Sequence, residues 1–388
     1  MSARTAPDRL GGVLVVEIGL AVALGLLALG PALLPVAGIV LSVALVAGLV
    51  RVRGELVGTW ALLAVRHRAR PRDTTAEPDT PDDEGLGLGP LDAVLGEVVV
   101  VDDRDHDGRP VALARTDDGT WTAVLVPDTD ELPLLVGPGT AADFPLGALA
   151  GTLSDRGVVL DALSVVRHVR PGPADSPARQ AHREVLGPLA DAAHRSAWLV
   201  VSLDPDRCPG AVAERGGGVL GARRALVGAL ARIARVLADH DLPVRPLDRA
   251  GLRDAVATAA VVDLDRAPDS GIEERWDAVV VGEVGHATRD AADLPVPAGG
   301  PLDLDDLAAP EAATTVALTL RPGPPGPDGD PWVGVSVRVR VSARTPDELA
   351  EAGRGVVAAA RARGVRLDPW HGRQAAGLRG TLPLGGPP

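Results

Sequence analysis

Three short runs of this 388-residue chain hold side chains at spacings that could do chemistry. Asp204-Pro-Asp206 follows an apolar run, residues 198–203, that reads as a strand. Paired carboxylates at a strand's C-terminal end can hold a divalent cation on a diphosphate. Asp103-Arg-Asp105-His-Asp107-Gly108 matches the first half of an EF-hand calcium loop, but Ala114 stands where a bidentate Glu should close the coordination sphere. The flanks read as strands rather than helices, so an acidic turn accounts for it. Gly216-Gly-Gly218-Val-Leu-Gly221 satisfies G-x-G-x-x-G. A pyrophosphate turn directly follows a strand, whereas these glycines lie well past Leu203 and inside a helical stretch. Close helix packing or a local kink explains them better.

Other site chemistries find no support. Further D-x-D matches at Asp263-x-Asp265 and Asp303-x-Asp305 show how readily composition alone produces that spacing. His182-Arg-Glu184 lacks the P-C-x-x-C half of a zinc site, and neither H-E-x-x-H nor G-x-S-x-G occurs. The chain has no lysine, hence no P-loop lysine and no Schiff base. Its one cysteine, Cys208, excludes an internal disulfide and a Cys-rich zinc site. No catalytic, cofactor-binding or metal-binding residues and no cofactor are expected. Asn and Tyr are absent too; such gaps reflect a GC-rich genome rather than function.

Charge is unevenly spread. Residues 1–72 carry eight arginines against Asp8, Glu17 and Glu55, so this part is net +5 and the remainder of the −13 chain is net −18. An acidic region of that size argues against nucleic acid, whose phosphates need the opposite sign.

The elements that would position any site begin with an apolar stretch. Between residues 11 and 50 the one charged residue is Glu17, and Gly30, Pro31 and Pro35 divide the stretch in two. The reading is a cytoplasmic N-terminus at residues 1–10, transmembrane helix 1 at 11–29 and transmembrane helix 2 at 32–50, forming a tight hairpin. Arg4 and Arg9 precede it, and Arg51, Arg53, Arg66, Arg68, Arg70 and Arg72 follow. Positive flanks stay inside, so both ends face the cytoplasm. A signal peptide is the competing reading, disfavoured by Pro31 just after its cleavage site and by the second apolar segment. Residues 51–70 read as a basic juxtamembrane helix with Trp60 at the lipid boundary, and residues 71–89 as a disordered Pro/Asp/Thr-rich linker.

Residues 90–388 read as a cytoplasmic region of mixed α/β (α+β) class. Strands at 97–101, 111–115 and 121–126 form an antiparallel meander, followed by a short helix at 146–153 and a strand at 158–168. Then come a helix at 177–194 capped by Ser176, a central apolar strand at 198–203 and one long helix at 209–240. A strand at 243–246 and a helix from Asp248 to about residue 257 complete the middle. Strands at 314–320 and 333–342 flank a Pro/Gly loop. Thr345 caps a helix at 346–363 with Pro346 at its first position, and a strand at 381–384 ends the chain.

The order of features resembles the EccE family of type VII secretion systems in actinobacteria. The likeness begins with the apolar hairpin and the stem Arg51, Arg53, Trp60, Arg66, Arg68. It is most specific at Ser196-Ala-Trp198-Leu-Val-Val-Ser-Leu-Asp204-Pro-Asp206-Arg207, and continues through Arg223-Arg224, Arg232 and Leu237-Ala-Asp239-His240. Glu274-Arg-Trp276, residues 282–286, Gly372-Arg-Gln374 and Leu382-Pro-Leu384-Gly385 extend it. The chain departs from the family at Leu294-Pro295, where Trp-Pro is expected.

The resemblance implies a non-enzymatic structural or assembly subunit of a type VII (ESX-like) secretion membrane complex. Its partners would be the EccB-, EccC- and EccD-type core proteins and membrane lipid. The protein would be multi-pass in the plasma membrane with most of the chain cytoplasmic. The alternative is a membrane-anchored glycosyltransferase-like enzyme with Asp204 and Asp206 as a metal-binding D-x-D. A membrane-tethered ligand-binding domain is a third reading.

Overall fold

The computed structural model of the chain describes residues 5–52, 55–56, 73–74, 85–128, 144–170, 194–264, 271–292, 312–325 and 331–385. They belong to two compact units, residues 1–71 with 371–373, and residues 72–370 with 374–388.

The first unit holds α1 (Thr5–Leu29), a 3-10 turn at Pro31–Leu33, and α2 (Leu34–Leu49). Two two-residue strands follow, β1 (Arg51–Val52) paired antiparallel with β2 (Glu55–Leu56). Gly30, at φ +149°, and Pro31 separate the helices. Gly19 lies against Ala44, where a side chain at position 19 would collide with the Ala44 Cβ, so small residues let the helices approach closely.

These helices correct the expected transmembrane hairpin. Among the described residues no helix is long and apolar enough to cross a membrane. The 3-10 turn takes the start of the second apolar segment, leaving α2 only 16 residues, roughly 24 Å against a hydrocarbon core of about 30 Å. The first helix starts at Thr5 and so takes in Asp8 and Arg9 besides Glu17. Of the expected juxtamembrane helix, residues 53–54 and 57–70 lie outside the described residues, as does most of the linker.

The second unit is built on one large antiparallel sheet. Its strands are β3 (Asp73–Thr74), β4 (Val98–Arg104), β5 (Pro110–Thr116), β6 (Trp121–Pro127), β9 (Ala162–Arg170), β10 (His194–Leu203), β11 (Val244–Pro246), β12 (Ile272–Glu274), β13 (Val279–Val281), β14 (Val284–Ala292), β15 (Ala313–Pro325), β16 (Pro331–Ala343) and β17 (Arg366–Pro369). A separate small ladder joins β7 (Ser154–Asp155) and β8 (Val158–Val159). The order along the large sheet is β3-β12-β13-β14-β16-β15-β9-β10-β6-β5-β4, with β11 on β6 and β17 on β14.

Helices cover both faces. One core joins the sheet to α4 (Leu146–Ala150), α5 (Pro209–Glu214), α6 (Gly218–Ala238) and α8 (Pro346–Ala362). The other joins it to α3 (Asp92–Leu95), α7 (Arg249–Ala260) and α9 (Gln374–Arg379). The central strand β10 sends Leu199, Val201 and Leu203 into the first core and Trp198 and Val200 into the second. That double burial is why residues 198–203 are apolar except for Ser202.

The mixed α/β expectation is thereby corrected: every pairing in the large sheet is antiparallel, and this sheet dominates the unit. A strand buried on both faces reads the same whether its neighbours run parallel or antiparallel. Locally, the long helix expected at 209–240 is two, α5 and α6, parted by a turn in which Gly216 and Gly217 take φ of +114° and +71°. The strand expected at 381–384 is instead a buried turn after α9. The helix expected at 177–194 and Leu294-Pro295 lie outside the described residues.

Candidate functional site

Asp204 and Asp206 are tied to each other through the backbone. Asp204 ends β10, and its Oδ1 accepts the Asp206 N–H at 2.9 Å, capping the 3-10 turn Pro205–Arg207. The Asp206 side chain is exposed and lines an open cleft of about 390 Å³ with Trp121, Val212, Gly217 and Gly218. The sequence signals at Asp206 and at the glycines therefore converge in space, but one carboxylate of the pair is already engaged. Gly221, the last glycine of that run, faces the Val212 carbonyl so closely that a Cβ could not be accommodated. Its role is helix packing of α6 on α5.

Among the described residues, the one group of three or more carboxylates, imidazoles or thiols close enough to share a cation is Asp105, His106 and Asp107. It is the turn between β4 and β5. Asp105 Oδ1 accepts the N–H groups of Asp107 and Arg109 at 2.9 and 2.8 Å, and Arg109 pairs with Asp107 at 3.3 Å. The acidic turn is held by its own backbone.

The most extensive polar constellation centres on Arg340, which no motif flagged. Across the face beneath α7 and the C-terminal segment, the strand register aligns His168 on β9, Thr315 on β15, Arg340 on β16 and Thr288 on β14. Two residues along, His286 faces Ser342. Arg340 is fully buried, and each of its five N–H groups has an acceptor. Nε donates to Thr381 Oγ1 at 2.7 Å, and Nη1 to His286 Nδ1 at 3.0 Å and Ser342 Oγ at 3.1 Å. Nη2 donates to the Ala259 carbonyl at 2.6 Å and to Thr315 Oγ1 at 3.0 Å. The Thr381 hydroxyl in turn donates to the Leu378 carbonyl at 2.8 Å. His168 Nδ1 lies 2.9 Å from Thr315 Oγ1, and its ring is 6.3 Å from that of Trp198.

No carboxylate is among these acceptors. The balancing negative end is the last turn of α7, whose Ala259 carbonyl the guanidinium meets. Burial lowers the Arg340 pKa to about 9, which leaves it charged at neutral pH. Burial, and then the charge of Arg340, push His168 down to about 3 and His286 well below its ordinary value. Both imidazoles are neutral. Because a guanidinium can only donate, His286 Nδ1 is an acceptor and its proton sits on Nε2. His168 Nε2 and His286 Nε2 are buried with no hydrogen-bond partner among the described residues.

Beside this seam, Arg338 Nε donates to Asp290 Oδ1 at 2.9 Å, and its guanidinium stacks 4.3 Å from the Trp370 ring. Gln374 Oε1 accepts the Thr288 N–H at 2.8 Å, and Glu274 Oε1 the Ala375 N–H at 3.2 Å. Several motifs quoted above, around Trp198, Glu274, His286, Gln374 and Leu382-Pro-Leu384, thus meet on one face of the sheet. Two others brace the other face: Arg223 grips Asp103 Oδ2 with Nη2 at 2.7 Å, and Arg232 donates to Asp155 Oδ2 and to the Thr152 carbonyl, both at 2.9 Å.

Comparison with known proteins follows this geometry. Residues 191–289 match the family described as putative type VII ESX secretion system translocon, EccE. Two relatives, the ESX-1 secretion system protein EccE1 of Mycobacterium tuberculosis strains CDC 1551 / Oshkosh and ATCC 25618 / H37Rv, are each 28% identical over 237 residues. That stretch is 58% of this chain and 43% of theirs, so the chain spans less than half the length of the relatives it matches. Among solved structures, an alkyldihydroxyacetonephosphate synthase is 9% identical with a TM-score of 0.26, covering 63% of this chain and 39% of that one. CrmK, a flavoenzyme of caerulomycin biosynthesis, is 15% identical with a TM-score of 0.21, covering 80% and 66%. At such scores neither structure bears on fold or activity.

Proposed function

On the premise that the chain is an EccE-family member, a membership carried by residues 191–289, we propose that it is a non-enzymatic structural subunit of a type VII (ESX-like) secretion complex. One observation supports this most directly. Four polar side chains of the family-like motifs are engaged in holding the fold: Arg223 and Arg232 fasten α6, Glu274 holds the start of α9, and His286 lies in the buried seam. The glycosyltransferase-like reading is the less supported, since Asp204 Oδ1 caps its own turn.

The complex is membrane-embedded, and α1 and α2 suit membrane association. Ile18, Leu24, Leu34, Ile39 and Val43 all stand exposed, an apolar surface of the kind that lipid or another apolar helix covers. The sheet unit, in this reading, lies on the cytoplasmic side of the plasma membrane. Its partners are the EccB-, EccC- and EccD-type subunits that the resemblance implies.

Deletion of the gene in its own host tests the proposal. Export of the system's substrates is lost, and the tagged chain purifies from mild detergent within a large membrane complex. Undiminished secretion after deletion, with the chain migrating alone, overturns it.

A further inference from the structure

The buried seam is a cluster of basic groups with no carboxylate inside it among the described residues. The titratable groups acting on His168 are Arg340, Arg170 on its own strand and His194 on β10; those acting on His286 are Arg340 and His168. All are basic. On β14, Asp290 is held by Arg338 at 2.9 Å. On α7, Arg249 turns to Asp102 and the Val100 carbonyl, and Arg253 to the Gly87 carbonyl. On α9, Arg379 lies near Asp117 and Asp118. What the C-terminal segment offers the seam is Thr381, hydrogen-bonded to Arg340, and below it Leu378, Leu382 and Leu384, each at most 1% exposed.

We propose that the Arg340–His286–His168 cluster is an acid-operated latch on the C-terminal segment. A proton taken up by either imidazole sets a second positive charge beside Arg340. On His286 that proton falls on Nδ1 and removes an acceptor from the guanidinium; repulsion from either imidazolium displaces Arg340 from Thr381, residues 374–385 leave the sheet, and the Leu378–Leu382–Leu384 surface is uncovered.

The sign follows from linkage. Both histidines titrate lower in the closed form than in an open, hydrated one, where an imidazole titrates near ~6.5. The open form therefore binds protons first, and the closed form is favoured above that value and lost as pH falls below it. His168 stays depressed to about 3, which sets the lower end of its window. Within the window each histidine raises the open-to-closed ratio about tenfold per pH unit, and the two together about a hundredfold.

Hydrogen exchange of the full chain in mild detergent, between pH 7.5 and 5 and corrected for intrinsic rates, reads this directly. Amides at 378–384 lose protection as pH falls, while those of β10 keep theirs. His286→Gln and His168→Gln each reduce the slope by about tenfold per pH unit. Should those variants fail to fold, imidazole titration of the unaltered chain decides. Segment protection that does not change with pH overturns the proposal. So does simultaneous loss in β10, or a His286 that titrates near its ordinary value with the segment still protected.

Discussion

Arg340 donates a 2.6 Å hydrogen bond to the carbonyl of Ala259, so a charged side chain from the middle of a sheet strand closes the C-terminus of helix α7. The last carbonyls of a helix have no partner within it, and the helix dipole makes that end favourable for a cation. A buried guanidinium and a buried helix end satisfy each other without a carboxylate.

Arg340→Gln should therefore be among the most destabilising single changes in the sheet unit. It strips donors from Ala259, Thr315, Ser342 and Thr381, at about 1–3 kcal/mol for each buried acceptor left unsatisfied. A loss of ~3 kcal/mol or more is expected, read as a lowered denaturant midpoint with unchanged slope. Arg340→Lys should not restore it, since an ammonium has fewer donors and lacks the planar fork.

The Arg338–Asp290 pair should behave as a buried ion pair. Its side chains are 15% and 9% exposed, and removing one partner leaves the other charge in the sheet. Asp290→Ala is expected to cost about 3–5 kcal/mol, and Asp290→Leu combined with Arg338→Met considerably less than the two separate losses summed. A double-mutant cycle by chemical denaturation measures the coupling.

Two glycines of α6 should respond in opposite directions to alanine. At Gly221 a Cβ would run into the Val212 carbonyl, whereas at exposed Gly228 it meets nothing within 4 Å. Gly221→Ala should destabilise by about 1–3 kcal/mol through overpacking. Gly228→Ala should stabilise by about 0.5–1 kcal/mol through helix propensity. Thermal melts of the two variants side by side make the comparison.

Asp204 and Asp206 should separate as cap and cleft residue, not as metal ligands. Asp204→Ala is expected to cost about 1 kcal/mol for the lost cap, while Asp206→Ala stays within about 0.5 kcal/mol. Calorimetric titration of the intact chain with Mn²⁺ should give no heat that Asp206→Ala removes. Such a heat would revive the enzyme reading.

Local signals read well from the sequence wherever a few neighbouring residues settle the outcome. Thr345 and Glu348 form the reciprocal cap of α8, with Pro346 at its first turn. Asp248 caps α7 by accepting the Gly251 N–H at 2.8 Å. The β4–β5–β6 meander follows its Asp/Gly turns, and the β10 apolar run is buried on both faces. Chain order and short motifs were enough to point at the family. Sheet direction was not legible, because it depends on which distant strands pair, and a strand covered on both faces carries no alternation to betray it.

What the sequence determined alone, then, is a set of local elements, their caps and the motif order of an EccE-like chain. What only the tertiary structure decided is where the polar side chains of those elements end up. Val337-Arg-Val-Arg-Val341 reads as a strand with one face in water, and its valines do enter a core. Arg340 does not reach solvent: α7 and residues 374–385, far away in sequence, cover it and supply the Ala259 carbonyl and the Thr381 hydroxyl. Burying Arg340 beside His286 is tolerable only when every one of its donors is met at once. That condition depends on partners from five separate elements, so no window along the chain contains it.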